Sequence, residues 1–256
     1  MTAADNAQLP ASDPAWGERS RGEPRWPASL AIIAAFALYG LLPPTLTLQA
    51  MQDALGLGLG QEWLRWVLPA LEVALLVTLT IAEPRRRAGE PRWLRYGAVA
   101  IIALVNIANI VSLFLLVRIL LHPQVLHLKP GQQLTGEQLL IPSINVWLTN
   151  VLVFALWYWE LDRGGPDDRS RPVHRRPDFL FPQMTTPHCT RERWTPSFMD
   201  YLYVSFTNAT AFSPTDTMPL TPWAKTLMTV QALASLLTVA LVAARAVNIL
   251  GQQTGA

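Results

Sequence analysis

Eleven residues, Thr207 to Thr217, gather the side chains in this chain best suited to meeting an ion. They supply the hydroxyls of Thr207, Thr210, Ser213, Thr215 and Thr217, the amide of Asn208 and the carboxylate of Asp216. Rings of such oxygens suit a weakly selective cation path, because each can replace part of an ion's hydration shell. Nothing in the chain points as directly to catalysis. The only cysteine is Cys189, and His188 beside it has no further His or Cys at ligand spacing, so no metal is expected. No G-x-S-x-G, phosphate loop, H-E-x-x-H or dinucleotide fingerprint occurs. The expectation is a protein that is not an enzyme and uses no cofactor.

Those oxygens matter only if the backbone carries them to membrane depth. A short apolar run, 195–210, is too short to cross a bilayer. A filter-like stretch rich in Ser, Thr and Pro follows at 211–221, and a full-length apolar run fills 222–249. Half-helix, irregular descent and spanning helix make the outline of a re-entrant pore loop. Irregular backbone at that depth is tolerated only where protein or a water-filled cavity surrounds it. Thr195-Pro196 and Thr221-Pro222 each place a hydroxyl just before a proline, which predicts two helix starts.

The rest of the chain fits an all-α polytopic membrane protein. It is 51% hydrophobic, and five stretches, about 28–50, 63–82, 95–121, 138–160 and 222–249, are long and apolar enough to span. Residues 1–27 read as a disordered tail. Residues 28–121 read as a three-helix peripheral bundle, and 138–250 as the pore-like module, comprising an outer helix, a polar connection, the pore helix and loop, and an inner helix. Thr135 with Gln138 fits a capping box at the start of the fourth span. The connection 161–194 reads as exposed, with a partly ordered patch around Phe179-Leu180-Phe181. A net charge of +2 gives no reason to expect nucleic acid.

Several polar residues fall inside the spans. Glu72 sits in the second, where a carboxylate is costly and functional by default; a neutral Glu72 bonded to Asn106, Asn109 or Asn150 is the plainer alternative. Asn106, Asn109, Asn145 and Asn150 read first as glue between helices. Gln231 and Ser235 face either a central cavity or a neighbouring helix. Asn208 reaches either Asp216 behind the loop or a nearer neighbour. Asp216 either draws cations to the mouth or caps the turn before Pro219.

Charge sets the orientation. Fifteen Lys and Arg lie in the N-terminal tail, the loop at 83–95 and the connection at 161–194, whereas the loops on the other side hold one, Lys129. The positive-inside rule then puts the N-terminus in the cytoplasm and the C-terminus outside. The loop dips in from the cytoplasmic side.

Residues 205–225, SFTNATAFSPTDTMPLTPWAK, resemble the pore region of potassium channels without a gap. Thr210 falls where that family has its last pore-helix threonine, and Asp216, Pro219 and Trp223 match its Asp, Pro and Trp. The five filter positions, Ala211, Phe212, Ser213, Pro214 and Thr215, do not match its Thr-Val-Gly-Tyr-Gly. A carbonyl ladder needs φ > 0 at alternate residues, which Pro214 forbids and the others resist. Side chains would therefore do the coordinating, and the orientation resembles the inverted loops of ionotropic glutamate receptors. Over its whole length the chain resembles a family of uncharacterised bacterial integral membrane proteins, a domain of unknown function. Leu42-Pro43, Arg85-Arg86-Arg87, Asp178 to Pro182, and Tyr203 to Thr207 with Thr215-Asp216 carry that resemblance. It implies a multi-pass protein of the bacterial inner membrane. One loop cannot enclose a pore, so the channel reading expects a homo-oligomer, a tetramer first, with the bilayer and monovalent cations as partners. The alternatives are a proton-coupled carrier built on Glu72 and a non-conducting scaffold.

Overall fold

The computed structural model describes residues 26–40, 92–121, 136–170, 176–186, 194–210 and 216–253. These are mostly helical. In chain order they form α1 (Trp26–Gly40), α2 (Arg92–Leu121), α3 (Gly136–Leu161), a 3-10 turn (Asp162–Gly164), α4 (Pro166–Ser170), β1 (Phe179–Leu180), α5 (Pro182–Thr185), α6 (Phe198–Thr210), β2 (Met218–Pro219) and α7 (Pro222–Gln253). The second apolar stretch, with Glu72, lies outside the described residues, as do 211–215.

Among the described residues two helices are long and apolar enough to cross a membrane, Ser143–Gly164 along α3 and Pro222–Ala243 along α7. They occupy different places. The α3 stretch is 67% buried and the α7 stretch 22%, so α3 is the central post and α7 lies on the outside. Helices α1, α2, α6 and α7 all pack on α3.

The core gathers around the second half of α3. Val153, Phe154, Ala155, Tyr158 and Trp159 meet Ile32 of α1, Ile102 of α2, Phe198, Tyr201 and Val204 of α6, and Ala224 and Met228 of α7. Small residues on α1, Ala28 and Ala31, let its backbone approach closely. Away from this core the usual soluble pattern is inverted. Asn106, Asn109, Asn145, Asn150, Gln231 and Ser235 are buried, while Ile107, Ile110, Phe114, Leu233, Leu236 and Leu237 are exposed.

Helix α3 ends abruptly at Asp162-Arg163-Gly164-Gly165. Three consecutive residues take positive φ: Arg163 at 51°, Gly164 at 84° and Gly165 at 92°. A Cβ on Gly165 would stand 2.9 Å from the Glu160 carbonyl oxygen, so glycine is required there. The turn sends the chain back across the end of α3. Two short strands then form there, Phe179 opposite Pro219 and Leu180 opposite Met218, antiparallel.

Helix α6 begins at Phe198, two residues later than a Thr195 cap with Pro196 in the first turn predicts. Its cap is Ser197, not Thr195: the Asp200 carboxylate accepts from the Ser197 amide at 2.7 Å and the Ser197 hydroxyl at 2.8 Å. The Asp200 carboxylate thus reaches back to the Ser197 amide as the acidic member of a capping box does, and holds the hydroxyl as well. The other expected cap is present. Thr221 Oγ1 accepts from the Ala224 amide at 3.4 Å, and α7 starts at Pro222.

Candidate functional site

The oxygen-rich stretch is held by α6, and α6 is placed by its register on α3. Phe198 meets Trp159 edge to face, the Ser205 hydroxyl donates to the Val151 carbonyl at 2.6 Å, and Phe206 meets Trp147. As numbers rise along α6 they fall along α3, so the two run antiparallel. From Trp159 to Trp147 is twelve residues, about 18 Å of a helix some 39 Å long. After residue 216 the chain is back where it began. Met218-Pro219 pairs with β1, and the Leu220 amide donates to the Asp178 carbonyl at 2.8 Å. Asp178 in turn is bonded to Asp162 at the end of α3. The chain thus enters α6 and leaves the following segment beside the same end of α3, and only α7 runs on along its length.

Two polar networks fix this arrangement. At the end of α3, Asp162 is fully buried and its carboxylate accepts three donors: the Tyr201 hydroxyl at 2.6 Å, the Asp178 amide at 2.8 Å and Arg163 Nε at 3.2 Å. The Asp178 carboxylate accepts the Arg163 amide in return, at 3.0 Å. Arg169 donates to the carbonyls of Trp159 and Asp162, both at 2.8 Å, and lies over the Tyr201 ring, 5.2 Å from its centre. Cations at a helix C-terminus complement both its free carbonyls and its dipole. Phe179 and Phe181 pack against Tyr158, Tyr201 and Trp194 around this knot. The polar connection is therefore not uniformly exposed: Asp162, Arg163, Arg169, Phe179 and Phe181 are buried.

Further along α3 the groups are neutral. Gln231 of α7 is fully buried and bonded at both ends. Its Oε1 accepts from the Tyr158 hydroxyl at 2.5 Å and Asn208 Nδ2 at 2.8 Å, and its Nε2 donates to the Ser205 carbonyl at 2.9 Å and hydroxyl at 2.6 Å. Asn208 also donates to the Met228 carbonyl at 2.9 Å. Asn150 donates to Ser235 at 2.9 Å, and Asn145 to the Leu38 carbonyl of α1 at 2.7 Å.

The residues singled out from the sequence are thus distributed unevenly. Gln231, Ser235 and Asn208 join α6, α7 and α3 within one chain. Thr207 and Thr210 turn their hydroxyls back onto carbonyls of their own helix. Asp216 is exposed and Thr217 buried. Asn106 and Asn109 are buried in α2, and the Asn106 and Asn150 side-chain oxygens are enclosed without a hydrogen-bond partner among the described residues. Ala211, Phe212, Ser213, Pro214, Thr215 and Glu72 lie outside the described residues. Between α6, Trp147 of α3 and α7 lies an open groove of about 720 Å³. Among the described residues no group of three or more His, Cys, Asp or Glu could hold a metal.

Sequence reasoning passed over Asp162, Arg169, Tyr201, Tyr158 and Ser205. Asp162 and Arg169 looked like members of a solvated charge run. Tyr158 looked like part of an interfacial belt, and only its position one helix turn before Asp162 hints that the two share a face. No protein-family model, curated protein or solved structure matches this chain.

Proposed function

We propose that the chain is a multi-pass protein of the bacterial inner membrane in which 195–221 forms a re-entrant loop. Copies gather around an axis, four being the first expectation, to make a weakly selective cation pore. The observation that carries this reading is the return of the chain to its starting level: Phe198 beside Trp159, and Leu220 tied through Asp178 to Asp162. A loop that enters and leaves on one side, followed by a single apolar helix, is the geometry a pore loop needs.

The inverted distribution of polarity supports the membrane setting. Lipid chains are as apolar as leucine, so exposing Leu233, Leu236 and Leu237 is unfavourable only in water. Buried amides and hydroxyls bonding between helices are what holds such bundles together. Coordination would fall to the hydroxyls and carboxylate of 210–217 and not to a carbonyl ladder. The bonds that tie Asn208 and Gln231 together brace the loop from behind and remove those two from the ion path. On this reading the protein moves ions and carries out no reaction.

The test is flux through liposomes holding the purified protein, with its mass in detergent measured in parallel. The expected result is an oligomer larger than a dimer, with cation flux reduced by Asp216→Asn. Only monomers and dimers would end the channel reading. The carrier reading draws support from the two enclosed amide oxygens of Asn106 and Asn150, which have no donor among the described residues and could accept from a transported group. Flux lost in Glu72→Gln and kept in Asp216→Asn would select it.

A further inference from the structure

The groove between α6 and α7 lies outside both networks. It runs along α7 from Lys225, beside Pro219, down to Val239. Fourteen residues of helix span about 21 Å, more than one leaflet's share, about 15 Å, of a 30 Å hydrocarbon core. Below Lys225 the α7 wall is Met228, Ala232, Leu233, Leu236 and Val239. The polar groups in the wall are already engaged in hydrogen bonds within the chain. Thr229 and Thr210 donate to backbone carbonyls of their own helices, Asn208 to Met228 and Gln231, and Ser235 accepts from Asn150. What the groove presents is hydrocarbon with one cation at its upper end. Lys225 is exposed and has no carboxylate partner among the described residues.

We propose that this groove binds one acyl chain of an anionic phospholipid whose phosphate rests on Lys225. The inference rests on the membrane reading above. Lys225 lies at the end of the bundle that carries the arginine-rich connection, the end the positive-inside rule places in the cytoplasm. That leaflet is the anionic one. A polar solute would leave the apolar wall unused, and a zwitterionic lipid would offer Lys225 a phosphate already balanced by the headgroup's own ammonium.

The full-length protein, reconstituted in phosphatidylcholine vesicles with or without phosphatidylglycerol, tests this. Either lipid is supplied with brominated chains, which quench indole fluorescence on contact. Trp147 lines the groove, and its share of the signal is the difference between the natural chain and Trp147→Phe. Brominated phosphatidylglycerol is expected to quench that share at about fivefold lower mole fraction than brominated phosphatidylcholine, the gain expected from one lysine near the surface. Lys225→Gln should bring the two lipids together. Ala232→Phe fills the groove without touching Lys225 and should abolish quenching by both. Equal quenching of the natural chain by the two lipids overturns the proposal, as does an unchanged response in either variant. A Trp147 that neither lipid quenches also overturns it, since protein then covers the groove. Cross-linking between copies at Leu233→Cys would identify that cover as a second copy, and its absence would point to residues 211–215. Flotation with the vesicles separates the two failures. A chain that does not float overturns the membrane reading, and one that floats without lipid preference overturns this inference alone.

Discussion

The two polar networks that fasten α6 are built from different chemistry. At the end of α3 the fastening is charged: Asp162, Arg163, Arg169 and Asp178, wrapped in aromatic rings. About two turns further along it is neutral: Gln231, Asn208, Ser205 and Tyr158. Both networks are buried, so exposure alone does not separate them. What separates them is the cost of a charge at each place. Where helices end and a polar connection supplies amides and guanidinium groups, a carboxylate can collect three donors and be satisfied. Within an apolar bundle the same carboxylate would have no such supply, and amides and hydroxyls, which donate and accept at once, close the network at lower cost.

That contrast can be broken in four ways, ordered by expected loss of stability in detergent unfolding. Asp162→Ala removes the common acceptor of Tyr201, Asp178 and Arg163 and takes away the carboxylate paired with the buried Arg163 guanidinium. A loss of about 3–5 kcal/mol is expected, because one partner of a buried pair is gone. A loss under about 1 kcal/mol would show that the charged knot is decoration. Gln231→Leu strips four hydrogen bonds from the neutral network, yet each bond between helices in an apolar setting is worth only about 0.6 kcal/mol. Its loss should come to about 2 kcal/mol; a larger loss than for Asp162→Ala would invert the comparison. Ser197→Ala removes only the hydroxyl half of the α6 cap and should cost about 1 kcal/mol. Asp216→Asn, on an exposed residue outside both networks, should stay within about 0.5 kcal/mol. A large effect there would mean that Asp216 is part of the fastening and not of the mouth.

Much of this was written in apolar run length. The apolar stretches at 95–121, 138–160 and 222–249 fall on the helices α2, α3 and α7, and the short run before the Ser/Thr/Pro break falls on α6, because unbroken stretches of Leu, Val, Ile and Ala leave little alternative to helix. Thr221-Pro222 could be read as a cap because both residue types favour that geometry. The α6 start was misplaced because Ser197 pairs with Asp200, and a sequence does not show which of two nearby hydroxyls the carboxylate takes. The neutral network was half legible: Gln231 and Asn208 stand out in apolar surroundings, but their pairing joins residues 23 apart. The charged knot was not legible. Asp162 and Asp178 sit among seven arginines, and only the left-handed turn at Arg163, Gly164 and Gly165 brings them together.

The two-residue ladder between β1 and β2 is small, but it makes the basic connection and the loop's exit a single mechanical part. Pulling on 178–180 pulls on 218–220, and through Pro222 on the first turn of α7. A binding partner that grips the arginines of that connection would therefore hold a handle on Met218 and Pro219 without coming near them. Conversely, a chain cut short before Met218 would keep α6 against α3 but leave Phe179 and Leu180 with an open backbone edge, a place for a neighbouring molecule to attach.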